Sequence, residues 1–255
     1  MIRKKIKVKS FNNWINTCKI IKKEINIKLE KYEHNTNINP YLFMKDLSKI
    51  IPASSLILMD GGAIMNYTMQ CFEIKKNQRL ITASGLDNEG FALAASLGLT
   101  SENYKNLSIV LCEESSFYSF SEYIYKFLDR KIPIKIFCFS GIKNLTLRNS
   151  QRDFFNSRYV ATNDHVNKYN IISNKKMYKD LNFVNIKNSK NYKNKIKSAL
   201  VSKKPTLIFI EVDQKHEIKP KMGFSINYAG KWTQNSLENM YPELDKIIVD
   251  KIKRL

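Results

Sequence analysis

The chain has no long hydrophobic run. Among its 255 residues no stretch approaches the roughly 18 unbroken apolar residues of a membrane span. Mean hydropathy is −0.37, so no membrane partner is expected. The basic N-terminus, MIRKKIKVKSFNNW, lacks the apolar centre of roughly 7–15 residues that a secretion signal carries, and it is serine-poor for a transit peptide. Cysteine is sparse and scattered. Cys18, Cys71, Cys112 and Cys138 form no CxxC pair, and His34, His165 and His216 fall near none of them, which argues against thiolate–metal chemistry. Cys112 and Cys138 end apolar runs and read as small buried hydrophobes. A reducing, cytoplasmic compartment is expected. Acids are outnumbered, 23 against 43 bases, for a net charge of +20. That excess is mostly dispersed lysine, as in NIKNSKNYKNKIKSALVSKK, without an arginine-and-aromatic pattern, so no nucleic-acid partner is expected.

What is present is an alternation. Residues 1–38 form a polar extension with one helical segment, where Trp14, Cys18, Ile21 and Ile25 make an apolar stripe suited to packing on something larger. Residues 39–212 alternate helical segments with the short apolar runs SLILM (55–59), RLITA (79–83), LSIVLC (107–112), IPIKIFCF (132–139), NFVNI (182–186) and PTLIFIEV (205–212). Continuous apolar strands between helices predict an α/β domain, a mainly parallel sheet with helices on both faces. SFSEYIYKFLDR (119–130) is expected to be one of those helices. Residues 213–255 read as a tail packed on the domain. Ligands of such folds bind at the carboxyl ends of the strands, which puts DGG (60–62), SGLDNEG (84–90), EESS (113–116) and SGIKN (140–144) on one rim.

The order of these loops resembles the C-terminal third of the acetolactate-synthase-like, thiamine-diphosphate-dependent enzymes. WINTCKIIKKE resembles the family's linker. NPYLFMKDLSKIIPASSLILMDGG resembles its entry helix and first strand with a terminal D-x-G. RLITASGLDNEGFALAASLGL is similar to SGGLGTMGFGLPAAIG, and SLENMYPEL to P-x-EDMYP. The resemblance implies a thiamine-diphosphate-binding fold, with thiamine diphosphate and Mg²⁺ as the family's cofactors. The family's metal motif is GDGS after a strand, then NN. Mg²⁺ takes oxygen ligands in near-octahedral geometry, and glycines let backbone N–H groups approach the phosphates.

Aligned on Ser116-Phe117, GDGS becomes Glu113-Glu114-Ser115-Ser116, and 27 residues beyond Glu114 the NN pair becomes Ser140-Gly141. The family's DRFY-like segment then falls on RDFF (152–155) without a gap. By the resemblance the metal positions are Glu114 and Gly141. The cofactor-facing positions are Gly62, Ala63, Gly85, Glu89, Glu113, Ser115 and Ser116. Glu89 stands for the methionine that props the cofactor, Asp87 for a glycine, Ala63-Ile64 for Gln-His, and Leu145-Thr146 for Gly-Met. Glu113 places a second negative charge where a diphosphate docks.

The family's catalytic glutamate lies in a separate N-terminal domain outside these residues, so no catalytic residue is assigned and the chain alone is not expected to act as an enzyme. Three readings stand open. One is a non-catalytic relative with impaired or lost cofactor binding. Another is the diphosphate-binding subunit of a split 2-oxo acid decarboxylase or carboligase. In the third, the site is repurposed and Glu89, Glu113 and Glu114 meet a cation. The expected partner is a second copy, in a homodimer, or a chain carrying the N-terminal domain. The residues alone also permit plainer roles: Glu113 and Glu114 as caps of the helix in SFSEYIYKFLDR, Gly61, Gly62 and Gly85 as turn residues, Arg152 and Asp153 as a surface pair, and His165 in a solvent-exposed loop.

Overall fold

The structure, a computed structural model, describes residues 11–24, 37–86, 89–98, 106–142, 144–162, 180–213, 216–236, 240–243 and 245–254. His34, Asp87 and His165 lie outside them. The chain divides into two units, 32–218 and a second made of 1–31 with 219–255.

The larger unit is built on six strands: β1 (Leu56–Met59), β2 (Arg79–Thr82), β3 (Ser108–Glu113), β4 (Lys135–Ser140), β5 (Asn182–Ile186) and β6 (Thr206–Glu211). They run in the order β2-β1-β3-β4-β6-β5, and every pairing is parallel. All four residues of β1 are buried, as are most of β3, β4 and β6, whereas edge strand β2 is only partly covered. This is why the central strands read as unbroken apolar runs: both of their faces are covered.

Leu56, Leu58, Val110, Cys112, Ile136, Cys138, Leu207 and Phe209 point to one face. There they pack with Ala92 and Leu93 of helix α4 (Phe91–Gly98) and with Ile124 and Phe127 of α6 (Tyr123–Asp129). On the other face, Phe139 meets the ring of Phe43 edge-on at 5.5 Å. Phe43 lies on α2 (Pro40–Ile50), which packs against α3 (Gly62–Cys71) and α8 (Tyr192–Val201). Helix α2 starts sharply because Asn39 accepts the N–H groups of Tyr41 (2.9 Å) and Leu42 (3.2 Å) and Pro40 supplies a helical φ.

One expectation needs correction. SFSEYIYKFLDR is not one helix. A short α5 (Glu114–Ser119) follows β3 directly, and α6 begins only after a turn at Phe120–Glu122. At this turn the ring of Phe120 lies over Gly90, where a Cβ would sit 1.8 Å from Phe120 Cδ2. In the smaller unit, α1 (Asn12–Glu24) is helical as expected; Trp14 and Cys18 are exposed and Ile21 is half-buried, and Ile25 lies outside the described residues. That unit also holds an antiparallel ribbon, β7 (Phe224–Ile226) with β8 (Trp232–Gln234), and helix α9 (Lys246–Lys253). No helix among the described residues is long and apolar enough to cross a membrane.

Candidate functional site

Because the strands are parallel, their carboxyl ends share one edge and the helices that follow begin there. All four rim loops meet at a cavity of about 180 Å³. Asp60 and Gly62 come from the loop after β1 and Glu89 from the one after β2. Glu113 and Ser116 follow at β3, and Asn144 after β4. Leu145 and Leu147, in α7 (Leu145–Phe154), form an apolar wall.

Glu113 ends β3 and is buried, at 8 % exposure. Its carboxylate makes no capping bond to its own helix α5. Instead Oε1 accepts the N–H groups of Ala63 at 2.8 Å and Ile64 at 3.3 Å, in the first turn of α3. Gly62 makes room for it. Its φ is +73°, and a Cβ there would sit 2.7 Å from Glu113 Oε1. Burial pushes the Glu113 carboxyl up to about 8. The amides of Ile64 and Ala63 pull it down, and the charges of Glu89 and Asp60 add to the rise.

Asp60, at 1 % exposure, ties the loop after β1 to α4, its Oδ1 accepting the Ala92 N–H at 2.7 Å. Burial raises its carboxyl to about 6. The Ala92 amide, the Ser116 hydroxyl and the Gly90 amide oppose that rise, and Glu89 reinforces it. Glu114 turns to the fourth loop, where its Oε2 accepts the Ser140 hydroxyl at 2.6 Å. The Ser115 hydroxyl donates to Glu89 at 3.4 Å. Gly141, with φ +90°, has no side chain to offer. Among the described residues no group of three or more His, Cys, Asp or Glu side chains is arranged to hold a metal ion.

Of the residues singled out in the sequence, Gly62, Ala63, Glu89, Glu113 and Ser116 line the one cavity. Ser115 is buried beside it. Gly85 lies apart, in an exposed turn (Ser84–Leu86) where a Cβ would meet nothing within 4 Å. The caps expected of Glu113 and Glu114 take another form: Glu113 serves the start of α3 rather than the helix that follows it, and Glu114 lies in the first turn of α5. Arg152 pairs with Asp153 at 2.7 Å and with Glu217 at 2.6 Å, and Asp153 is largely buried. Asp60 and Asn144 also line the site, from the rim loops DGG and SGIKN, and so do Leu145 and Thr146, which the resemblance set at the family's Gly-Met. Leu147 lines it too, and nothing in the sequence pattern marked it.

Residues 60–211 match the family described as thiamine pyrophosphate enzyme, C-terminal TPP binding domain. The acetolactate synthase isozyme 2 large subunit of Escherichia coli (strain K12) is 26 % identical over 133 residues, 52 % of this chain and 24 % of that protein. The crystal structure of benzoylformate decarboxylase from Polynucleobacter necessarius superposes with a TM-score of 0.63 at 18 % identity, covering 73 % of this chain and 35 % of that one. The chain thus spans about a quarter of the curated relative's length and about a third of the solved structure's.

Proposed function

This chain belongs to the family of thiamine pyrophosphate enzyme C-terminal TPP-binding domains, and we propose that within it this domain is a non-catalytic relative that has lost the cofactor. One observation carries the reading: the first-turn amides of α3, at the cavity where the rim loops meet, are already taken by the Glu113 carboxylate. The family resemblance supports it. Glu113 stands where GDGS has its first glycine, so a side chain fills space that backbone N–H groups need for a phosphate. At the metal positions Glu114 is engaged by Ser140, and Gly141 supplies no side-chain oxygen. Mg²⁺ prefers near-octahedral oxygen coordination, with carboxylates and the substrate's phosphates completing its shell, and this pair provides one carboxylate. The residues present do not fit a magnesium diphosphate, and no catalytic step is derived through it.

Charge points the same way. Asp60 and Glu89 line the cavity beside Glu113. A like-charge contact near 4 Å costs on the order of 4 kcal/mol at an effective dielectric of about 20. A helix N-terminus returns only about 0.3–1 kcal/mol.

A second reading keeps the cofactor, with the chain as the diphosphate-binding subunit of a split 2-oxo acid decarboxylase or carboligase. It is favoured by the convergence of all four rim loops on one cavity. In either case the domain is proposed to work in an assembly, as a homodimer or beside a partner chain. Titration calorimetry with thiamine diphosphate and Mg²⁺ decides between the two. The proposed function expects no saturable heat. A Kd tighter than about 100 μM, roughly −5.5 kcal/mol, replaces it with the split-subunit reading.

A further inference from the structure

We propose that Glu113 is a built-in occupant of an anion site, excluding phosphate-type ligands by holding their hydrogen-bond donors rather than by repelling their charge. This inference deepens the lost-cofactor reading and rests on it.

The geometry separates occupancy from repulsion. Helix α3 is ten residues long, and its N-cap Gly61 offers no side-chain acceptor. Its first-turn amides therefore need an outside partner. Two of them, Ala63 and Ile64, converge on a single oxygen, Glu113 Oε1, from a strand about 50 residues further along the chain. Gly62 is shaped for this guest: with φ +73° and no Cβ, it leaves the carboxylate a place that a side chain at 62 would take. A helix N-terminus with converging amides beside a glycine is the arrangement that binds phosphate or carboxylate ligands elsewhere. Here the ligand is covalently supplied.

A negative charge is not required for it to stay. Burial holds the carboxyl protonated through neutral pH, and a protonated carboxyl still accepts both amides through its carbonyl oxygen. Exclusion by charge and exclusion by occupancy therefore make opposite forecasts for an uncharged side chain of the same shape. Glu113→Gln keeps an acceptor oxygen and the volume, and leaves the site closed. Glu113→Ala removes both, leaving the Ala63 and Ile64 amides open to an outside anion.

The test follows the backbone amide resonances of Ala63 and Ile64 in the full chain while inorganic phosphate is added without metal. In the wild-type protein and Glu113→Gln both resonances stay fixed up to about 20 mM phosphate. In Glu113→Ala they shift and saturate, with at least a tenfold gain in apparent affinity over wild type. If Glu113→Ala does not fold, Glu113→Gly, the residue type the family carries here, is read the same way. Saturating shifts in Glu113→Gln overturn the proposal in favour of charge repulsion. Fixed resonances in a folded Glu113→Ala or Glu113→Gly overturn it by showing that the amides are no anion site. Neither result resembles failure of the parent reading, which is thiamine diphosphate binding to the unaltered chain.

Discussion

Glu113→Gln should make the protein more stable, and the gain should depend on pH in a defined way. The Glu113 carboxyl is raised from an ordinary 4.5 to about 8 in the folded protein, chiefly by burial. In the unfolded chain it ionises near its ordinary value. Below about pH 4.5 it is protonated in both states, and the native contacts count in full. Between pH 4.5 and about 8 the unfolded state has released its proton and the folded state has not, so stability falls as pH rises. Above about 8 both are ionised and the loss levels off. Each pH unit in that window is worth ~1.4 kcal/mol, which sets a ceiling of ~5 kcal/mol.

Glutamine has no proton to lose and keeps the acceptor for Ala63 and Ile64. The variant should therefore match wild type near pH 4 and exceed it progressively to pH 8, then hold a constant margin. A gain of ~2–5 kcal/mol at pH 8 is expected, against total stabilities of roughly 5–15 kcal/mol for a domain. Urea denaturation of both proteins at intervals from pH 4 to pH 9 measures it. A difference that is flat with pH, or largest at pH 4, refutes the reasoning. Either would mean that Glu113 is ionised in the fold and stabilised by its amides.

Three further outcomes are expected. Gly90→Ala combines a φ of +81° with a Cβ 1.8 Å from Phe120 Cδ2, so it should cost about 3–5 kcal/mol in urea denaturation. Adding Phe120→Ala should remove the clash but not the backbone strain, and a neutral Gly90→Ala would contradict the packing. Lys135 is fully buried, its Nζ donating to the carbonyls of Ser202 (2.6 Å) and Lys204 (2.8 Å) and to Thr206 Oγ1 (3.1 Å). Lys135→Ala should cost about 3 kcal/mol or more, through unpaired acceptors and a cavity. Burial also lowers the Lys135 ammonium from 10.5 to about 8, so the unfolded chain binds the extra proton between those values and Lys135 contributes a rise in stability across that window. In Lys135→Met that rise should be absent from a urea denaturation series extended to about pH 11.

The architecture was legible in the residues because it follows from local pattern. Ser108–Glu113, Lys135–Ser140 and Thr206–Glu211 are apolar runs too short for helices, and only strands covered on both faces tolerate such runs. From the parallel sheet it follows that the loops at 60–62, 84–90, 113–116 and 140–144 share an edge. It was the family resemblance, not spacing alone, that set EESS and SG at the positions of the family's phosphate loop.

What periodicity could not carry is contact between residues far apart in the chain. Lys135 looked like one more residue of an apolar strand, yet three oxygens from residues 202–206 surround its ammonium. The ring of Phe120 is seated against a glycine 30 residues earlier, whose missing side chain makes room for it. The family resemblance made Glu113 a negative charge set where a diphosphate docks. Its actual bond partners are amides 49 and 50 residues away. A side chain's protonation and its hydrogen bonds are set by what surrounds it in space, so only the tertiary structure shows this acid bonded to the first turn of α3.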